Sequence, residues 1–235
     1  MNDFQEKIGI ANPDWLMSAR EKLCLIGLLN TMKPDRVIEL GYHRGGATFW
    51  LSKFAKKVIT VDVNEFVANA EKEYPNVEAW NYPTLEAIDR IKEENLFFDL
   101  AIIDADHSRK AVSADVKGLL EHADIILMHD SFNPDCRKGM IDTLESQKSH
   151  AYYLDFMPSV SKGDGLWGGL ALAWKSKTAG PSIEFYQEKS PYPPTALQNS
   201  LRLIPKINSI KDSIFIFLGS FISKSKILGG RLRGR

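Results

Sequence analysis

The sequence predicts an α/β protein built on a doubly wound, mostly parallel β-sheet. Apolar segments and stretches of helical periodicity follow one another in a βαβαβαβ order, and two closely spaced strands come after them. Strands separated by helices form parallel sheets with helices on both faces. In addition, acidic residues repeatedly come directly after the apolar segments. They would lie at the carboxyl edge of the sheet, where open α/β sheets bind ligands.

The elements are predicted in chain order from their periodicity and their flanking residues. A first helix covers 15–33, where apolar residues recur at helical spacing until Pro34 ends it. A second helix follows a glycine turn within 41–55. Three further helices cover 65–74, 83–94 and 109–123, and the helix over 83–94 has proline at its start. Apolar runs predict strands over 36–40, 57–63, 76–82, 98–106, 124–130, 151–157 and 165–175. Trp167 and Trp174 alternate on the last strand, where packing into the core is the default expectation.

The composition bounds the class of protein. The 235 residues suit one α/β domain with an appendage, and a hydrophobic content of 44% is ordinary for a globular core. Basic and acidic residues cancel at 30 each, so the whole chain gives no indication of nucleic-acid binding. The two cysteines lie far apart, the N-terminus has no apolar signal core, and no apolar run is long enough to span a bilayer. These features predict a reduced, cytoplasmic protein.

The chain divides into three predicted parts: an α/β domain over 1–178, a Pro-containing linker over 179–200 and a basic amphipathic tail over 201–235. The tail carries eight Lys or Arg residues against one acid. Its isoleucines and phenylalanines recur at spacings of three and four, which predicts one apolar helix face. Two interpretations stay open. The tail packs on the domain or on a second copy in a homo-oligomer, or it makes peripheral contact with a membrane.

The stretch VIELGYHRGG, residues 37–46, places an acid and three glycines between a strand and a helix. Dinucleotide-binding folds use G-x-G-x-x-G for a pyrophosphate, but here the first two glycines are four residues apart and Glu39 precedes them. A carboxylate would repel a pyrophosphate and would suit a cationic or amine-bearing ligand. Asp62 follows Glu39 by 23 residues, at the end of the next strand. It is placed to bind two ribose hydroxyls.

These motifs resemble those of class I S-adenosylmethionine-dependent methyltransferases. VIELGYHRGG is similar to their first motif and VITVDV to their second. FDLAIIDADHS and DIILMHDS together resemble the branch that holds cephalosporin-hydroxylase-like and sugar O-methyltransferases. The resemblance covers about residues 20–176. It implies a Rossmann-like, seven-stranded methyltransferase sheet, S-adenosyl-L-methionine as cofactor, and transfer of a methyl group to a sugar, a glycan or another hydroxylated small molecule.

The resemblance also implies roles for residues at the cofactor site. Gly41 and Gly45 would contact the methionine part of the cofactor, Asp62 would bind the ribose, and Thr84 would lie near the adenine. The full set that the resemblance and the motif place at the cofactor is Glu39, Gly41, Gly45, Gly46, Asp62, Thr84 and Asp104.

A metal site is implied by the acids at the ends of the fourth and fifth strands. In metal-dependent relatives, one acid ends strand four and a pair of oxygen ligands ends strand five. Asp104 and Asp130 match that arrangement. Mg²⁺ prefers oxygen ligands and would gather two substrate hydroxyls and lower the pKa of one. The sequence departs from the relatives because Ser131 follows Asp130 where they have Asn or an acid, so the metal requirement stays open.

Two histidines are candidate general bases. His107 comes three residues after Asp104. In the sugar O-methyltransferases that the chain resembles, a histidine at this spacing looks like the general base. A neutral imidazole near pH 7 suits removal of a proton from a hydroxyl as the methyl group arrives. His129, directly before Asp130, is the second candidate. For both histidines, a structural role at the start of a helix or the end of a strand is the alternative.

Two other classes of function stay open. A non-catalytic binding or scaffold protein could keep the fold and use its basic tail to hold a membrane or a partner, and the unexpected Ser131 is compatible with it. A nicotinamide-dependent oxidoreductase could use a similar sheet, but the glycine spacing and the acid-rich sheet edge count against it. The sequence does not identify the acceptor.

Overall fold

A computed structural model describes residues 15–131, 133–147, 149–153, 159–160 and 166–174. The predicted linker over 179–200 and the predicted tail over 201–235 lie outside these residues. The described helices are α1 (Ala19–Met32), α2 (Gly46–Phe54), a 3₁₀ turn (Glu65–Ala68) that leads into α3 (Asn69–Glu73), α4 (Thr84–Glu93), α5 (Arg109–Leu119) and α6 (Pro134–Ser146). The described strands are β1 (Arg36–Leu40), β2 (Lys57–Val61), β3 (Val77–Trp80), β4 (Phe98–Ile103), β5 (Ala123–Met128), β6 (His150–Tyr153), β7 (Ser159–Val160), β8 (Leu166–Trp167) and β9 (Ala171–Trp174).

The main sheet has the strand order β3-β2-β1-β4-β5-β9-β6. Strands β1 to β5 pair in parallel, and β9 pairs antiparallel with both β5 and β6. The order reverses between β1 and β4, which puts the carboxyl ends of these two strands at the crevice where such sheets bind ligands. The predicted α/β class, with a mostly parallel sheet, is confirmed.

The sheet forms the core because its central strands are apolar on both faces. All residues of β4 and β5 except Asp99 and Asp124 are buried, and Leu25, Leu28 and Leu29 of α1 are fully buried. Such continuous apolar runs are expected for parallel strands that helices cover on both sides. Within the part of the chain that the structure describes, no helix has both the length and the apolar character needed to cross a membrane.

The prediction of one continuous strand over 165–175 is wrong, because the structure has two separate strands there. Gly168 and Gly169 have φ values of 98° and 87° and interrupt it. Leu166–Trp167 pairs with β7 in a separate two-stranded ribbon, while Ala171–Trp174 joins the main sheet. The two tryptophans therefore do not alternate on one strand. Adjacent glycines tolerate the left-handed region and break a strand pattern.

Helix α6 was missed by the sequence interpretation, although its signals are present. The Asn133 side chain accepts hydrogen bonds from the N–H groups of Asp135 and Cys136, and Pro134 occupies the first turn. Asn as N-cap followed by proline is a frequent helix start. The buried side chains Met140, Ile141 and Leu144 recur at helical spacing along its inner face.

Candidate active site

A pocket of about 1000 Å³ opens at the carboxyl edge of the parallel strands. Its wall includes eight of the residues singled out from the sequence: Glu39, Gly41, Asp62, Thr84, Asp104, His107, His129 and Asp130. They come from the ends of β1, β2, β4 and β5 and from the start of α4. A volume of this size suits a ligand as large as a nucleoside conjugate.

Gly41 allows the turn after β1 to pass directly over the end of β4. Its φ is 103°, and a Cβ atom there would lie 2.1 Å from the carbonyl oxygen of Asp104. The Gly41 N–H donates to the carbonyl oxygen of Val61 at 2.8 Å, and the Asp104 N–H donates to the carbonyl oxygen of Leu40 at 2.8 Å. Only glycine fits this position, because any side chain would clash with fixed backbone.

Gly45 and Gly46 do not line the pocket, although the sequence interpretation placed both at the cofactor. Gly45, with φ of 77°, precedes α2 and packs against the Tyr42 ring. Gly46 packs against Trp15, where a Cβ atom would come 2.4 Å from the Trp15 Cβ. Their described contacts are with other parts of the chain, so close packing is sufficient to explain both glycines, and their contact with a cofactor stays a prediction.

Glu39 is a buried carboxyl group with a fixed orientation. The hydroxyl groups of Thr48 in α2 and Thr60 in β2 both donate to its Oε2 atom, at 2.5 and 2.6 Å. Burial is the main reason that the Glu39 pKa is raised to about 7. The two hydrogen bonds lower it, and the negative charges of Asp104 and Asp62 contribute to the rise. A cation bound beside this carboxyl group would lower the pKa again.

Asp62 organises the loops on its side of the pocket. Its Oδ2 accepts from the His43 N–H and its Oδ1 from the Asn64 N–H, both at 2.9 Å. The Asn81 amide donates to the Asp62 carbonyl oxygen at 2.9 Å. The carboxylate stays half-exposed at the pocket wall. It thus ties together the β1 and β2 loops while still facing a ligand.

Four side chains meet where β4 and β5 end: Asp104, His107, His129 and Asp130. His107 Nε2 lies 2.8 Å from Asp130 Oδ2 and 3.7 Å from Asp104 Oδ1. His129 Nδ1 lies 2.9 Å from Asp104 Oδ1 and 3.5 Å from Asp130 Oδ2. Each histidine therefore faces both carboxylates, and the four groups form one charged cluster.

The cluster lowers the pKa of Asp104 and raises the pKa values of both histidines. Hydrogen bonds to Asp104 and Asp130 raise the His107 pKa to about 9, against burial that lowers it. Burial alone would lower the His129 pKa, but the Asp104 charge and hydrogen bond raise it well above its usual value. For Asp104, burial raises the pKa, yet the two histidines bring it down to about 2. Opposite charges at these distances favour the ionised form of each group.

Glu21 belongs to the same cluster, and the sequence interpretation missed it. Its side chain is 1% exposed, and its Oε1 accepts from the Gly169 N–H at 2.5 Å and lies 3.4 Å from His129 Nε2. Its Oε2 accepts from the Ser18 N–H at 2.6 Å in a capping box that begins α1. The S-x-x-E pattern is typical of a helix start, but no sequence signal indicates a contact 148 residues away.

His129 is less suited than His107 to remove a proton from an acceptor. The His129 side chain is 8% exposed, and its two ring nitrogens face Asp104 and Glu21. The His107 side chain is 35% exposed and lines the pocket. His107 is thus the more accessible of the two candidate bases, and the base role of either histidine stays a prediction.

Three of these groups could hold a divalent cation. One ligand atom each from Asp104, His107 and Asp130 lies within 4.8 Å of the others. Two carboxylates and an imidazole fit Mn²⁺ or Zn²⁺ as well as Mg²⁺, because imidazole suits the transition metals. Asp130 has φ of 53°, and its Oδ1 accepts from the Gly168 N–H at 2.5 Å. That hydrogen bond leaves its Oδ2 directed at the cluster.

The comparisons with known proteins agree with this geometry. Residues 38–131 match the family model described as "Methyltransferase domain". No curated protein sequence matches the chain significantly. The fold is similar to that of an O-methyltransferase from Bacillus cereus solved with S-adenosylhomocysteine (TM-score 0.55, 19% identity, 74% of this chain and 90% of that one). It is also similar to the O-methyltransferase TomG from Streptomyces achromogenes, solved with S-adenosylmethionine (TM-score 0.55, 17% identity, 73% and 86%).

A third similar structure is a proposed O-methyltransferase from Klebsiella pneumoniae (TM-score 0.57, 19% identity, 75% of this chain and 91% of that one). The fold is therefore the α/β methyltransferase fold of these structures, and the matched stretch runs from β1 to just past the end of β5. The same stretch contains the glycine turn, Asp62 and the strand-end cluster. Glu21 lies before it, in α1.

Proposed function

We propose that the protein is an S-adenosylmethionine-dependent O-methyltransferase that acts on a sugar, a glycan or another hydroxylated small molecule. The observation that carries the proposal is one pocket whose wall holds two chemically distinct groups of side chains. Glu39 and Asp62 suit an amine and a ribose. His107 lies between two carboxylates. The O-methyltransferases of similar fold were solved with S-adenosylhomocysteine or S-adenosylmethionine, which supports this choice of cofactor.

The reaction asks mainly for alignment of two substrates. In such a transfer the acceptor oxygen would attack the methyl carbon as the carbon–sulfur bond breaks and S-adenosylhomocysteine leaves, and the acceptor proton would pass to the His107 imidazole. Positioning supplies up to roughly 7–11 kcal/mol in favourable cases, and a general base adds about 10²–10⁴-fold. In the free protein His107 is protonated at neutral pH. The positive sulfonium nearby would oppose a second positive charge and so favour the neutral imidazole.

The alternative to a histidine base at this site is a divalent cation held by Asp104, His107 and Asp130, and the four-group cluster favours such a cation. A bound cation excludes the base role of His107, because the one lone pair of Nε2 cannot both bind a metal and accept a proton. A bound cation would instead bring the acceptor hydroxyls together and lower the pKa of one. We favour the base role because the His107 side chain is 35% exposed and lines the pocket, where an acceptor hydroxyl group can reach it.

The experiment that tests the proposal is calorimetric titration of S-adenosylhomocysteine into the full-length protein, with Mg²⁺ and again with EDTA. We expect binding in the micromolar range in both. Asp62→Ala should weaken it at least tenfold, whereas Asp89→Ala, which removes a solvent-exposed carboxylate from the outer face of α4, should not. If wild-type protein binds no S-adenosylhomocysteine, a non-catalytic scaffold becomes the better account. If it binds, methyl transfer to a panel of hydroxylated sugars and phenols identifies the acceptor class.

A further inference from the structure

The Glu39 carboxyl group is held by one oxygen only. Thr48 and Thr60 donate to Oε2, and within the described residues Oε1 accepts no hydrogen bond. Glu39 lines the pocket, although the residue as a whole is only 1% exposed. A buried carboxylate with one oxygen unused is costly unless a ligand completes its hydrogen bonds.

The two threonines come from different elements and converge on the same atom. Thr60 is in β2 and is fully buried, and Thr48 is in the first turn of α2 and is also fully buried. Two hydrogen bonds to Oε2 fix both the position and the rotation of the carboxyl group, so that Oε1 keeps one direction. Removing the hydroxyl groups would free this rotation and would also favour the neutral carboxyl group, because hydrogen bonds to an ionised group stabilise the ionised form.

We propose that Thr48 and Thr60 are positioning residues that hold Glu39 so that its Oε1 receives the amino group of the cofactor's amino acid. This inference rests on the proposed function, since it assumes an adenosyl amino acid in the pocket. It goes further because it assigns recognition of that amino group to Glu39, Thr48 and Thr60 acting together. The threonines act through Glu39 and do not touch the ligand themselves. A charge-assisted hydrogen bond of this kind contributes more than a neutral one.

The test compares two ligands that share the adenosine and the thioether but differ in the amino acid: S-adenosylhomocysteine and 5′-methylthioadenosine. Both are titrated into wild-type protein, into the double variant Thr48→Val, Thr60→Val, and into Thr48→Ser, Thr60→Ser. Valine keeps the shape and removes the hydroxyl group, whereas serine keeps the hydroxyl group. We expect the valine variant to bind S-adenosylhomocysteine at least tenfold more weakly and to bind methylthioadenosine within twofold of wild type. The serine variant should recover most of the loss.

Methylthioadenosine binding also reports whether each variant is folded, so a misfolded variant is recognised by losing both ligands. In that case the single variant Thr60→Val, which leaves α2 unchanged, carries the comparison. Equal weakening of both ligands by a folded variant, or unchanged binding of S-adenosylhomocysteine, would overturn the inference and leave the proposed function intact. Wild-type protein that binds neither nucleoside would overturn both.

Discussion

His107 Nε2 lies 2.8 Å from Asp130 Oδ2, although the two residues belong to the ends of different strands. The Asp130 backbone has φ of 53°, which turns its carboxylate back toward the pocket. The His107 imidazole is thus held from one side by Asp130 while its other face stays accessible from the pocket. In the proposed function, the exposed part of His107 is what meets the acceptor hydroxyl group.

The first prediction is that His107→Ala lowers methyl transfer by about 100-fold or more, the usual contribution of a general base. Affinity for S-adenosylhomocysteine should change little, because the base acts on the acceptor. The measurement is transfer of a labelled methyl group to the acceptor found in the screen. His122→Ala is the matched control, because His122 lies at the opposite end of β5 and hydrogen-bonds to the Leu96 carbonyl oxygen. Unchanged turnover in the His107 variant would remove it from the reaction.

The second prediction concerns the metal. If His107 is the base, turnover in EDTA should equal turnover in Mg²⁺ within about twofold. If a cation is instead held by Asp104, His107 and Asp130, Mn²⁺ should bind more tightly than Mg²⁺. The reason is that an imidazole nitrogen suits a transition metal, whereas Mg²⁺ prefers oxygen ligands. Calorimetric titration of each ion measures this directly. The matched variant is Asp130→Asn, because asparagine also tolerates a positive φ. Loss of activity in EDTA that Mn²⁺ restores would contradict the base assignment.

The third prediction concerns Glu21, whose carboxylate joins α1 to His129 and to the β8–β9 turn. Glu21→Ala removes the partner of a buried charge, a change that costs about 3–5 kcal/mol in comparable cases. Glu21→Gln keeps the shape and the capping interaction and should cost less. Ser18→Ala, which removes only the cap, should cost about 1 kcal/mol. Chemical unfolding of the four proteins gives these differences in the free energy of unfolding. Equal losses for Glu21→Ala and Ser18→Ala would mean that Glu21 only caps the helix.

The fourth prediction concerns Asp115, a buried carboxyl group in α5. Burial raises its pKa to about 6, with a smaller contribution from the Asp106 charge, while the neighbouring Thr84 side chain lowers it. Between about pH 4 and pH 6, the folded protein keeps a proton that the unfolded chain has released, so stability falls as the pH rises through that window. Asp115→Asn removes this loss, and at pH 7 it should raise the free energy of unfolding by on the order of 2 kcal/mol.

The control for Asp115 is Asp89→Asn, because the Asp89 side chain is exposed on α4 and pairs with Lys92. Unfolding of both variants is followed at pH 4, 5, 6 and 7. The expected pattern is a gain for Asp115→Asn that grows from pH 4 to pH 6 and then stays constant. A gain that is the same at every pH would indicate that the carboxyl group does not titrate in this range.

The sequence was sufficient for the class of fold and for eight residues of the pocket wall. Glu39, Gly41, Asp62 and Asp104 were found because each lies among the last residues of an apolar strand or directly after it, and strand ends meet at one sheet edge. A strand end can be recognised from residues that are adjacent in the sequence. The contact of Glu21 with Gly169 could not be found in this way, because it depends on how α1 packs against a turn 148 residues later.

The roles of the glycines show a second limit of the sequence. Gly41, Gly45 and Gly46 look equivalent in the motif, yet only Gly41 lines the pocket, and the other two pack against Tyr42 and Trp15. What each glycine lies against is decided by tertiary packing. The break at Gly168 and Gly169 follows the same logic: the pair was visible in the sequence, but its conformation depends on the N–H groups that reach Asp130 and Glu21.

The central claim is that the pocket binds an adenosyl amino acid through Glu39 at one end and Asp62 along its wall. Titration of S-adenosylhomocysteine into wild-type protein, in EDTA, tests it most directly. The account predicts micromolar binding that Asp62→Ala weakens at least tenfold and Asp89→Ala leaves unchanged. Failure of the wild-type protein to bind, or equal binding by the Asp62 variant, would contradict the account.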